Sequence, residues 1–244
     1  MTVAARMKAE VQECLRAAGR VLVPLVCAGC DTADAVLCPE CAAHLGDVVR
    51  LEQHAPALRS EIAVWGAGAY EGPRRRIVLA WKTQGREDLR TPLADWTRSV
   101  GTYLAQLHGE HAFSGSRCPT QAPVWVVPAP STWRRRLRGR PPVWHLADGV
   151  AQGLAQGGLP SAVVEALKQT GGGHGQRGKG SRQRALRSRR CQARLDLTGR
   201  NVVLVDDVLT TGATLQTCID AVERAGGHVI GAVVLAGARV RGRS

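Results

Sequence analysis

Aromatic residues are scarce in this 244-residue chain, with one Phe and two Tyr against six Trp. So few rings exclude a surface built from stacked aromatics and leave Val, Leu and Ala to fill the core. No stretch approaches the ~20 consecutive apolar residues that a membrane span needs. The nearest thing to a secretory start is "VLVPLVCAGC" at 21–30, which is short, contains Pro24 and follows charges at Arg6, Lys8, Glu10, Glu13, Arg16 and Arg20. That is a poor match to a signal sequence, so the protein is expected to be cytoplasmic. Acidic residues are missing altogether from 168–194, which holds nine Lys or Arg, and 134–140 holds five Arg. Phosphates, free or in nucleic acid, are the partners that such fields attract; the alternative is a solvated surface.

What is present suffices for a core. Hydrophobic residues make up 44% and charged residues 22%, with a formal charge of +13. The simplest organisation is one α/β domain plus an appendage.

Eight cysteines suggest secretion until their spacing is considered. "CAGCDTADAVLCPEC" places Cys27 and Cys30 as one Cys-x-x-Cys turn and Cys38 and Cys41 as a second. Each turn presents two thiolates to one ion, and the connection between them lets the two close a tetrahedral sulfur site. Gly29 eases the first turn and Pro39 stiffens the second. With so few large apolar residues nearby, metal binding would supply much of the local folding energy, so the expectation is structural zinc. A closed four-sulfur shell leaves no position for a catalytic water. The competing readings are a disulfide pair and a redox dithiol, and the latter needs one Cys-x-x-Cys at a helix start after a strand. His44 is an alternative ligand. Cys14, Cys118, Cys191 and Cys218 are isolated and expected in the core, with Cys218 on the apolar stripe of a helix.

Along the chain, an amphipathic helix is expected over about 1–20, then the knuckle and a short helix to about 50. "RLEQHAPALRS" reads as the link to a larger domain, giving a division into 1–58 and 59–244. "IAVWGAGAYEG" alternates like a strand leading to a turn at Gly72 and Pro73. Thr91 and Pro92 open a helix whose apolar face runs through Leu93, Trp96, Val100, Leu104 and Leu107. Residues 114–123 read as a loop, "VWVVPAP" as a buried strand ended by Pro128 and Pro130, and 143–156 as a helix. "TGGGHGQRGKGSRQ" is Gly-rich, basic and expected to be mobile. "NVVLV" is a strand, Leu215, Cys218, Ile219, Val222 and Ala225 mark a helix stopped by Gly226 and Gly227, and "HVIGAVVLA" is another strand. Strand, helix and strand at this length form a crossover in a parallel sheet.

Asp206 and Asp207 fall at the C-terminal end of the "NVVLV" strand, where parallel sheets form their ligand crevice. A helix beginning near Ala213 would turn its first backbone N–H groups and positive dipole end outward. Gly212 allows close approach of the backbone, and Thr210, Thr211 and Thr214 add hydroxyls. A carboxylate pair beside an anion cradle suits a ligand with a phosphate at one end and vicinal hydroxyls nearby, such as a sugar 5-phosphate. Two alternatives compete. One is a Walker B strand paired with Gly173-x-x-x-x-Gly178-Lys179, but Gly180 stands where a magnesium-binding Ser or Thr is required and no clear strand precedes it. The other is that the two Asp residues merely cap a turn.

"VVLVDDVLTTGATL" closely resembles the 5-phosphoribosyl 1-pyrophosphate signature of type I phosphoribosyltransferases. The order of parts narrows the resemblance: a four-cysteine knuckle, "YEGPRRRIVLAWKTQGREDLRTPLA", "VVPAPSTWRRRLRGR", a basic Gly-rich loop and then the signature. Together, from about Cys27 to Ala236, these resemble the ComF family of late-competence ComFC and GntX-like proteins. The resemblance implies a type I phosphoribosyltransferase-like parallel-sheet core with helices on both faces, preceded by a small zinc-binding knuckle. It implies that Thr210, Thr211, Gly212, Ala213 and Thr214 hold the ribose 5-phosphate. It also implies that Asp206 and Asp207, the catalytic pair, hold the ribose hydroxyls, with magnesium bridging hydroxyls and pyrophosphate. Lys82 stands where the family has a basic residue, and Val127 to Pro130, with Pro128, would form the pyrophosphate-side loop. Residues 170–190, including Gln176, Ser181, Arg182 and Arg184, resemble the family's flexible hood. The family usually continues its Arg-rich segment with Phe-Asn-Gln after the Gly; here Gly139 is followed by Arg140, Pro141 and Pro142, so the amides expected in the pocket are missing.

Two functions from different classes follow. One is an enzyme in which a nitrogen nucleophile attacks the anomeric carbon as pyrophosphate departs, stabilised by magnesium and cationic side chains. The other, implied by the ComF resemblance, is a protein of natural transformation that takes up single-stranded DNA beside a competence helicase, with salt-sensitive and sequence-blind binding through the basic tracts.

Overall fold

The computed structural model describes residues 25–59, 61–109, 123–130, 141–170 and 190–238. The helix expected over 1–20, Cys14, Cys118, the Arg run through Arg140 and most of the basic loop, with Gln176, Ser181, Arg182 and Arg184, lie outside the described residues.

The centre is a six-stranded sheet. In chain order its strands are β1 (Val49–Arg50), β2 (Val64–Gly66), β3 (Val124–Pro128), β4 (Ser161–Val163), β7 (Asn201–Val205) and β9 (His228–Val233). They lie side by side as β1-β2-β9-β7-β3-β4, and every pairing is parallel except β1 with β2. Two smaller pairs accompany it: β5 (Leu167–Thr170) antiparallel to β6 (Arg190–Ala193), and β8 (Val208–Leu209) parallel to β10 (Ala236–Gly237).

All five residues of β7 are buried, as a central parallel strand covered on both faces requires. The period of two divides them between two cores. After the short α1 (Pro39–Ala43), Val203 and Val205, with Val124, Val126, Ile230 and Val233, face α2 (Gly72–Thr83), α3 (Arg90–Gly109) and α4 (Val143–Gln156). Val202 and Leu204, with Val127 and Ala232, face α5 (Ala213–Arg224), whose Leu215, Cys218, Ile219 and Val222 fill that side. Helices therefore cover both faces, as expected. The strand over 201–205, the helix from Ala213 and the strand over 228–233 form the expected parallel crossover.

The helix that carries Lys82 differs from expectation. Gly72 and Pro73, read as a turn, open α2 instead: Gly72 takes φ 53° and Pro occupies the first turn, where its missing N–H costs nothing. The result places Lys82 in the last turn of a helix. Helix α3 packs on α4 almost backbone to backbone, because a Cβ on Gly153 would fall 1.9 Å from the Arg98 carbonyl oxygen. Among the described residues no helix is long and apolar enough to cross a membrane.

Candidate functional site

The carboxylate pair sits where β7 ends. The Asp206 N–H donates to Val233 O at 3.0 Å, and the Leu235 N–H donates to Asp207 O at 3.0 Å, so the backbone is fixed by the neighbouring β9 and its continuation. The Asp207 N–H donates to Asp206 Oδ1 at 2.8 Å. The Asp207 carboxylate is ion-paired through Oδ2 with Lys82 Nζ from the end of α2, the two side chains being 17% and 26% exposed. Pro128 stands beside Val205 in the register of β3 and β7, and the Ala129 N–H donates to Val205 O at 2.7 Å. Lys82, Pro128, Asp206 and Asp207, far apart in sequence, thus meet at one end of the sheet.

Two residues beyond the pair, β8 leads into the threonine turn. Gly212 takes φ 81°, in the left-handed region open to glycine, and caps α5. Thr210, Thr211, Ala213 and Thr214 are exposed. The first-turn amides of a helix have no intrahelical acceptor and carry its positive dipole end, so the exposed side of this turn suits an anion. The Thr211 hydroxyl accepts from the Ala213 N–H at 3.4 Å, and Thr217 Oγ1 donates to Thr214 O at 2.8 Å. Arg182 and the rest of 171–189 lie outside the described residues, but the β5 and β6 pair that flanks them is formed.

The other side of the turn is covered by the segment expected only to link the knuckle to the larger domain. The Ala57 N–H donates to Thr211 O at 2.8 Å, and a Cβ on Gly212 would fall 2.8 Å from Ala55 Cβ. No periodicity or motif marks this contact in the sequence.

The four cysteines form a single cluster. The Sγ atoms of Cys27, Cys30, Cys38 and Cys41 lie within 4.8 Å of one another, and all but Cys30 are buried. The N–H groups of Cys38 and Gly29 donate to Cys27 Sγ at 3.3 and 3.4 Å. Burial pushes the Cys27 thiol up, but these amides and Cys30 hold it down to about 6. Four sulfurs in one shell, one of them solvated by backbone donors as a thiolate, fit a tetrahedral thiophilic ion. None of the four is in a disulfide. His44 is not in the cluster; its carbonyl oxygen accepts from Arg74 Nε at 2.6 Å. The knuckle rests on α2 and on the segment after it. Arg76 pairs with Asp31, and Arg86 reaches both Asp88 and the Val26 carbonyl oxygen, the latter at 3.0 Å. Cys191 and Cys218 are buried on β6 and α5, in the core against the sheet.

The chain is similar to known proteins over part of its length. The model of the phosphoribosyl transferase domain matches residues 144–243. Orotate phosphoribosyltransferase of Pyrobaculum calidifontis is 40% identical over 94 residues, 37% of this chain and 45% of that protein. Adenine phosphoribosyltransferase of Salinispora arenicola is 60% identical over 37 residues, 15% of this chain and 20% of that one. The chain thus spans less than half the length of these curated relatives. Among solved structures, adenine phosphoribosyltransferase from Saccharomyces cerevisiae is 14% identical, with a TM-score of 0.35 over 82% of this chain and 90% of that one. The match to the phosphoribosyl transferase domain thus includes the acidic pair, the threonine turn and α5.

Proposed function

We propose that this chain binds 5-phosphoribosyl 1-pyrophosphate with magnesium. The observation that carries the reading is the carboxylate pair Asp206 and Asp207 next to an exposed threonine turn that caps α5, inside the matched domain. Thr210 to Thr214 hold the 5-phosphate through hydroxyls and first-turn amides. Asp206 and Asp207 accept from the ribose hydroxyls, and Lys82 and the loop at Pro128 face the pyrophosphate. Magnesium, when bound, neutralises charge on the departing pyrophosphate. Transfer would form a bond from a nitrogen nucleophile to the anomeric carbon as the bond to pyrophosphate breaks. The two relatives are named for different bases, orotate and adenine, so neither base is carried over to this chain.

Together with the knuckle, this site supports assignment to the ComF type, with zinc on Cys27, Cys30, Cys38 and Cys41 as a structural ion. The test is calorimetric titration of 5-phosphoribosyl 1-pyrophosphate and magnesium into the protein and into an Asp206→Asn, Asp207→Asn variant. Binding that is lost in the variant supports the reading; no binding to either form overturns it.

A second reading, uptake of single-stranded DNA beside a competence helicase, is favoured by the nine Lys or Arg and absent acids of 168–194. It requires oligonucleotide affinity that falls steeply with salt, and an affinity indifferent to salt refutes it.

A further inference from the structure

The segment between the cysteine knuckle and β2 does more than connect them. Leu51 is buried under the sheet: a Cβ on Gly66 would fall 2.4 Å from its Cδ1. From there Ala55 to Arg59 crosses the back of the threonine turn. Ala55 and Leu58 close on Gly212, and the Ala57 N–H holds Thr211 O. The Arg59 N–H donates to Gln216 Oε1 at 2.6 Å across 157 residues of sequence.

Gln216 is the unusual member. It lies in the first turn of α5, is only 7% exposed and is one of few polar residues buried among the described residues. Both ends of its amide are used, since Nε2 donates to Asp220 Oδ1 at 2.7 Å while Oε1 accepts from the Arg59 N–H. Its own N–H donates to Gly212 O at 2.9 Å, as the helix requires. One side chain therefore joins the helix that follows the turn to the segment behind it. The neighbouring Arg59 and Asp220 contact is largely solvated and adds little.

We propose that Ala55 to Arg59 is a strap that holds the turn Thr210 to Thr214 in its anion-binding geometry, and that Gln216 is the positioning residue that fastens it. This rests on the ribose-phosphate reading of the turn. The strap leaves the hydroxyls and first-turn amides facing outward and blocks the turn from relaxing backward when no ligand is bound. A preorganised cradle binds more tightly because the ordering cost is met in the free protein. The strap also runs directly from the knuckle, so the N-terminal segment reaches the sugar-phosphate site through the backbone.

The test is affinity for 5-phosphoribosyl 1-pyrophosphate with magnesium, measured calorimetrically on the full chain beside the melting temperature. Gln216→Leu loses affinity by about tenfold, the size of one lost buried hydrogen bond, at a temperature where the variant is folded. The double variant Gln216→Glu, Asp220→Asn exchanges amide and carboxylate and keeps both bonds, so it recovers affinity to within about twofold. Ala57→Pro, which removes the strap N–H from Thr211 O without altering α5, weakens binding in the same direction and carries the test if Gln216→Leu does not fold. Affinity in a folded Gln216→Leu or Ala57→Pro protein equal to that of the parent overturns the strap, as does a double variant no better than Gln216→Leu. A parent protein that binds no ligand overturns the ribose-phosphate reading itself, and the strap with it.

Discussion

Lys82 Nζ, in the last turn of α2, is paired with Asp207 Oδ2 at the end of β7. Both side chains are largely removed from solvent, so neither ion can lose its partner cheaply. A ligand that claims the Asp207 carboxylate must supply Lys82 with another anion. A sugar bearing a pyrophosphate next to its hydroxyls does so, and ribose 5-phosphate does not. Lys82→Met is therefore expected to weaken 5-phosphoribosyl 1-pyrophosphate by about tenfold while leaving ribose 5-phosphate unchanged or tighter. Parallel losses for both ligands in calorimetry would show that Lys82 only supports the fold.

The knuckle offers a second prediction. Three of its four cysteines are buried in the same core as α2, and its loops are joined to that segment by Arg76 with Asp31 and by Arg86 with Val26. Atomic emission on the purified protein should give one zinc per chain. Removal of the ion by a chelator, or Cys27→Ser, should lower the melting temperature, and a loss of ~3 kcal/mol would appear as roughly 6–12 °C. A metal-free protein that melts with the untreated one excludes a structural ion.

The elements that sequence periodicity reaches are the long or central ones. The apolar face through Leu93, Trp96, Val100 and Leu104 appears as α3, and the run Val202 to Val205 as β7. Where local chemistry pointed two ways, tertiary packing decided. Gly72 and Pro73 suit a turn and a first helical turn equally, and Ile77, Val78 and Trp81 become buried only because α2 has the knuckle and sheet to pack on. Strands β1, β8 and β10, of two residues each, are too short to have a period at all. The same division holds for the site. Asp206 to Thr214 is contiguous, so this part of the candidate site can be picked out along the sequence. The Lys82 pair and the Gln216 strap join residues that only the fold brings together.

Gly153 tests the packing of α3 on α4. Alanine is the better helix former by about 1 kcal/mol, which alone would make Gly153→Ala stabilising. A methyl group there would stand 1.9 Å from Arg98 O and 2.7 Å from Thr102 N, however, and both are backbone atoms of the facing helix. Forcing the helices apart costs about 1–3 kcal/mol, so the steric effect wins and the variant should unfold at lower denaturant. A midpoint at or above that of the parent would mean that α3 and α4 pack less closely than described.

The contact of Arg86 with the knuckle is expected to depend on acid. Its guanidinium donates to Asp88 from Nε at 2.9 Å and from Nη2 at 2.7 Å, and from Nη2 to Val26 O at 3.0 Å. The Arg86 hydrogen bond outweighs burial and holds the Asp88 carboxyl below the usual range. A depressed carboxyl contributes stability that is fully present above its unfolded value of about 3.9 and is lost as the pH falls through its folded value. The pair is about a quarter to a third exposed, which limits that contribution to about 1 kcal/mol or less. Asp88→Asn should thus be less stable than the parent at neutral pH, and the difference should shrink as the pH falls below about 4, since the parent then carries a protonated Asp88 as well. Denaturant melts followed by tryptophan fluorescence across that range measure the gap, and a gap that stays constant with pH would place the stabilising role of Asp88 outside its charge.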